Sequence, residues 1–211
     1  MDKSVYIILS RTQTKFAKMI RFFGKQEYSH ASICLNDDFS EVYAFARPQH
    51  NAIFLGGLVQ ESLSRFTLQR NASVPISVFK LSVSEQNYEW IKETIETMKN
   101  NPDYMYNLYS VLSYPVIRGF AVKKAFTCVE FVTYLLQHSG YLQEKKRYRY
   151  TPDDLALELQ DYLLYKRDVR ECLPESTFDE DYFAPFTMEL FYLSVRKLCR
   201  LTMRTCFYRG E

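Results

Sequence analysis

Reactive side chains are scarce in this chain of 211 residues, which holds three histidines and five cysteines. Cys34, Cys128, Cys172, Cys199 and Cys206 are odd in number and form no CxxC pair. That excludes a disulfide framework and a zinc finger, and makes reduced thiols the expectation. No stretch approaches the ~18 apolar residues of a membrane span. The run Val5-Tyr6-Ile7-Ile8-Leu9 is too short for a signal core and follows an acid, Asp2. A cytoplasmic protein is therefore expected. The net charge of +2 gives no argument for nucleic acid. Neither a metal nor an organic cofactor is implied, and no internal repeat or low-complexity tract is visible.

What the chain does have is aromatic side chains, with 17 Tyr and 16 Phe in an otherwise average globular composition. Such rings fill a core or line a cleft. Val5–Leu9 reads as a buried strand. Phe16, Met19, Ile20 and Phe23 recur at helical spacing before Gly24. Ala31, Ile33 and Leu35 alternate with His30, Ser32 and Cys34, and Glu41 to Ala46 alternates again, so residues 29–46 predict a hairpin turning at Asn36-Asp37-Asp38. Gly56-Gly57 marks a bend, and residues 75–83 a strand. Ser84 caps a helix, residues 100–125 give a loop plus a short helix, and residues 125–139 a strong helix stopped by Gly140. Thr151-Pro152 starts another helix. Residues 184–206 form a last, basic amphipathic one. The hairpin implies antiparallel pairing, hence an α+β fold.

The sequence Thr127-Cys128-Val129-Glu130 matches a capping box ahead of an apolar helical run. A thiol at the first helical position meets the positive end of the helix dipole and free backbone N–H groups, which favour thiolate. The same groups can hold an oxyanion. A helix-start cysteine can equally be a small core residue. A thiol nucleophile needs a base. His138 lies ten residues along the same helix, ~15 Å away, and reads as a C-terminal cap. His50 reads as a solvated loop residue. His30, on a strand, is the best base in the chain.

A histidine hairpin followed about a hundred residues later by a helix-start cysteine resembles the circularly permuted papain-like hydrolases, the NlpC-type amidases and the lecithin retinol acyltransferase group. The matching stretches are Tyr28-Ser29-His30-Ala31-Ser32-Ile33, Val42 to Arg47, Gly56 to Glu61, and Phe126 to Val132. They look like a bacterial branch of that superfamily, over residues 5–160. The resemblance implies a papain-like domain over 1–160, a small antiparallel sheet against the cysteine helix, and a helical extension over 161–211 packed on it. It further implies a Cys128 nucleophile, a His30 general base and a thioester intermediate in the cleavage or transfer of an amide, ester or thioester. A third residue orients the histidine in that family. The hairpin reading puts Tyr43 there, with Glu41 and Glu61 as substitutes. The alternative is an inactive papain-like module that binds a peptide or acyl chain among Tyr104, Tyr106, Tyr109 and Tyr114. Expected partners are a small-molecule, lipid or peptide substrate, with peripheral membrane contact through the basic C-terminal helix.

Overall fold

The computed structural model describes residues 2–12, 26–52, 54–68, 73–172 and 179–207. The helix expected over Phe16–Phe23 lies outside them. Val5, Ile7 and Leu9 of β1 (Lys3–Ser10) point to one buried face and Tyr6 and Ile8 to the other. An unbroken apolar run is what a strand covered on both sides requires. β1 is accordingly central in a six-stranded sheet with order β4-β3-β2-β1-β5-β8 and every pairing antiparallel. The other strands are β2 (His30–Cys34), β3 (Val42–Ala46), β4 (Gly57–Glu61), β5 (Pro75–Val83) and β8 (Leu163–Asp168). The expected α+β class holds.

Two helices cover one face. They are α2 (Glu85–Lys99), capped by Ser84, and α4 (Cys128–His138), which bring Ile91, Ile95, Met98, Phe131, Val132, Leu135 and Leu136 against Ile7, Ile33, Phe45 and Leu81. The short α1 (Ser64–Thr67) brings Phe66 to the opposite face. A parallel pair, β6 (Met105–Tyr106) with β7 (Ala125–Phe126), brackets α3 (Leu108–Ile117). α5 (Pro152–Glu158) carries its own capping box between Thr151 and Asp154. No described helix is long and apolar enough to cross a membrane.

One expectation needs correction. The segment after residue 160 is not purely helical, because β8 pairs with β5 and completes the main sheet. Its mostly exposed, charged sequence hides the strand from a hydrophobic pattern. The last helix, α6 (Met188–Phe207), packs on the domain through Leu190, Ser194 and Leu201, with Arg196 exposed and Lys197, Arg200 and Arg204 partly buried. Arg200 and Arg204 bind Asp103, at 2.9 and 3.4 Å, and Lys197 donates to the Gly56 carbonyl oxygen at 3.4 Å. Met188, Phe191, Tyr192 and Met203 face solvent instead.

Candidate active site

α4 starts as its sequence predicts. The Thr127 hydroxyl accepts the Glu130 N–H at 3.0 Å, and a Glu130 carboxylate oxygen accepts the Thr127 N–H at 3.3 Å. Cys128 is therefore the first residue of the helix, buried at the positive dipole end. Glu130 is fully buried; burial raises its carboxyl to about 7 even with Arg147 only 3.5 Å away. It is thus half neutral near pH 7 and opposes a Cys128 thiolate weakly.

That burial has a measurable consequence. The folded carboxyl keeps a proton up to about 7, whereas the unfolded one loses it near 4.5. The folded state binds more protons in between, so stability must fall as pH rises through that window. Glu130→Gln keeps the cap and removes the titration. Thermal melts from pH 5 to pH 8 should show the fall in the wild type and a flatter profile in the variant. An equal slope in both would contradict this assignment.

His30 opens β2. The β2–β3 pairs are Ile33–Tyr43 and Cys34–Val42, with none closer to His30. Beside the unpaired stretch, the His30 ring and the Ala31 N–H lie close enough to the Cys128 sulfur to lower its pKa. The ring's Nε2 meets a Glu61 carboxylate oxygen at 2.8 Å, which leaves Nδ1 for the thiol. The Ser32 hydroxyl donates to that same Glu61 oxygen at 2.9 Å, and the Phe66 ring stands edge-on to the imidazole. Cys128, His30 and Glu61 thus line up as thiol, imidazole and carboxylate.

Each titration is a contest between burial and partner. Burial lowers the His30 pKa, but the Glu61 charge and the sulfur raise it, and the net is well above the ordinary imidazole value. Burial raises the Cys128 thiol, but His30 and the Ala31 N–H win and hold it below the ordinary thiol value. Burial raises Glu61, but His30, Ser32 and Arg65 hold its carboxyl low. All three shifts favour thiolate, imidazolium and carboxylate together. Cys34 lacks a basic partner, and burial pushes it up to about 11.

Tyr43 is not the orienting residue. Paired with Ile33, it shares that residue's face, with Ala31 and Phe45, in the core beneath α4 and α2. Successive strand residues alternate sides, so His30, Ser32 and Cys34 lie on the other face, with Val42 and its partner Glu61. The turn also differs from a tight one at Asn36-Asp37-Asp38. Leu35 bonds to Glu41 across a longer loop, braced by Asn36 and Asp38 to Ser40 and with Phe39 at φ 57°. Of the two substitutes, Glu61 is at the ring and Glu41 is in the turn bond. His50 packs on Tyr182 and Phe183, and His138 stacks on Trp90 with ring centroids 3.5 Å apart, so neither is at the site.

Tyr106 completes the site. β6 lies beside β7, which runs into Thr127, so Tyr106 stands beside Cys128 and lines the same cavity. Gly56 makes room for it, since a Cβ there would lie 2.4 Å from the Tyr106 Cβ. Of the four tyrosines proposed for a groove, Tyr106 and Tyr114 do line a cavity, of about 330 Å³. Cys128, Ser29 and Val129 form its floor, and Val111, Pro115 and Val116 of α3 one wall. The walls are mostly apolar, the usual lining of a small-molecule site. No family model matches the chain, and no curated protein and no solved structure is similar to it.

Proposed function

We propose that this chain is a thiol hydrolase or acyltransferase of the permuted papain-like kind, and that it forms a thioester on Cys128. The observation that carries the reading is the continuous path from the Cys128 sulfur through His30 to Glu61, in a chain where the histidine strand precedes the cysteine helix. In this mechanism the thiolate attacks a carbonyl carbon and a C–S bond forms. The oxyanion is held by the Cys128 backbone N–H and the Tyr106 hydroxyl. Collapse breaks the bond to the leaving amine, alcohol or thiol, which takes the proton from His30. Water, or an acceptor hydroxyl or amine, then attacks the thioester while His30 takes its proton. The acid or the new acyl product leaves, and the thiolate is restored. The apolar cavity beside the sulfur suits the acyl part of the substrate. The buried thiols suit a reducing compartment, in keeping with the cytoplasm.

The inactive-module alternative had two motives, a weak third residue and the tyrosines around Tyr106 and Tyr114. The buried Glu61 carboxylate at the His30 ring argues against the first, and the tyrosines that line the cavity keep the second. The test uses p-nitrophenyl acetate, butyrate and octanoate. The expected result is a burst of about one nitrophenolate per chain, with an acyl mass on the Cys128 peptide that is missing in Cys128→Ala. The cavity predicts stronger labelling by octanoate than by acetate. No burst and no adduct with any of the three esters would overturn the reading in favour of a binding module.

A further inference from the structure

α3 is built in an unusual way for a surface helix. Its sequence, Leu108 to Ile117, contains no charged side chain, and Ser110 is its one buried residue. Leu112 and Ile117 are each 50% exposed and Val116 is 85% exposed. Water-facing helices ordinarily show a polar outer stripe. The exposed end is also firmly fixed. The Tyr114 hydroxyl donates to the Arg149 carbonyl oxygen at 2.9 Å. Arg118 and Gly119 then reverse the chain with positive φ, and a Cβ on Gly119 would stand 2.5 Å from the Tyr148 carbonyl oxygen. Val116 lines the cavity as well, so the cavity beside Cys128 extends to this exposed apolar tip.

The charges that α3 and its flanking segments carry are basic. Residues 104–129 include Arg118, Lys123 and Lys124 and no carboxylate. Lys124 is bound to Asp103. Arg118 and Arg149, both near the Tyr114 hydroxyl, have no ion pair among the described residues. Asp154 is the acid that also faces Tyr114, and it is taken by Lys145 at 2.7 Å. A protruding apolar end flanked by unpaired arginines is complementary to a layer of anionic headgroups over acyl chains.

We infer that the tip of α3, with Arg118 and Arg149, docks this protein on an anionic lipid surface and holds the mouth of the Cys128 cavity against it. This differs from the contact expected of the C-terminal helix, whose Lys197, Arg200 and Arg204 are turned to the domain. The docking does not depend on the proposed chemistry, so the two can fail separately.

The test is sedimentation of the full chain with sucrose-loaded vesicles of phosphatidylcholine alone or with one quarter phosphatidylglycerol. The wild type and Cys128→Ala should bind the anionic vesicles alike and prefer them to neutral ones. Leu112→Ser combined with Val116→Asp should weaken binding to both by at least about tenfold, by removing apolar burial. Arg118→Gln combined with Arg149→Gln should cost about thirtyfold on the anionic vesicles alone, at ~1 kcal/mol per cation. All substituted side chains are exposed, and circular dichroism checks the fold. Wild-type binding no stronger than that of the Leu112/Val116 variant overturns the inference. So does a concentration-dependent dimer that Val116→Asp dissolves, which would give the tip to a second copy.

Discussion

Replacing His30 by alanine should lower ester turnover by about 10⁴-fold or more, because base and nucleophile act as a unit. The variant removes the cation that holds the Cys128 thiol below its ordinary value, and burial, the opposing influence, is left nearly unbalanced. Sulfur reactivity should fall with it. Wild-type Cys128 should react with iodoacetamide at a midpoint below the ~8.5 of a free thiol. In His30→Ala the midpoint should lie above it. The readout must be the Cys128 peptide, since Cys199 and Cys206 are exposed and label in any case. Identical midpoints in the two proteins would break the proposed pair, whatever the turnover.

Glu61→Gln should be the next most damaging change, and a more selective one. The amide can still accept from Nε2 and from Ser32, so the fold should survive. What is lost is the negative charge that keeps the His30 ring protonated. The imidazolium loses a charged hydrogen bond worth about 1.5–3 kcal/mol, one to two decades in the ion-pair population. Turnover should drop by about 10²-fold, and by as much as about 10⁴-fold where the amide orients the ring in the wrong tautomer. The sign in pH follows from the same charges. With Glu61 neutralised, the His30 pKa falls, while the Cys128 thiol loses an anion that had raised it, so the range over which thiolate and imidazolium coexist moves down at its alkaline end. A rate profile whose alkaline limb shifts to lower pH is the expected signature. Lower turnover with an unchanged profile would mean that Glu61 is a structural support only. Tyr43→Phe should leave both measurements alone, since that ring lies on the opposite face of the sheet.

The two residues that a reader of the sequence can find, Cys128 and His30, owe their legibility to local patterns. A capping box is four consecutive residues, and a strand histidine needs only its own alternation. Glu61 depends on the register of three strands and the length of the 35–41 loop, which side-chain bonds at Asn36 and Asp38 fix. One residue of slip exchanges the faces, and Tyr43 on β3 is the wrong answer that a tight-turn reading produces. A carboxylate closing the strand Gly57–Glu61 was a usable signal. It was masked because Gly56-Gly57 reads as a bend rather than as the start of β4. Tyr106 depends on a two-residue parallel pair formed across an intervening helix, which no periodicity reveals. The α6 orientation shows a related limit. Its amphipathic pattern was plain, but the pairing of Arg200 and Arg204 with Asp103, an acid far away in sequence, was not.

The gap between β2 and β3 below Ile33–Tyr43 has a practical consequence. The Ala31 N–H beside the sulfur is a main-chain group, so no side-chain substitution deletes it. It exists only while β2 keeps its register against β1 and β3. Cys128 reactivity is then a reporter of assembly as well as of chemistry. During a denaturant titration, enhanced alkylation at Cys128 should vanish with the meander rather than with α4 alone. A thiol-reactive probe can thus monitor the sheet's integrity from a helix that is not part of it.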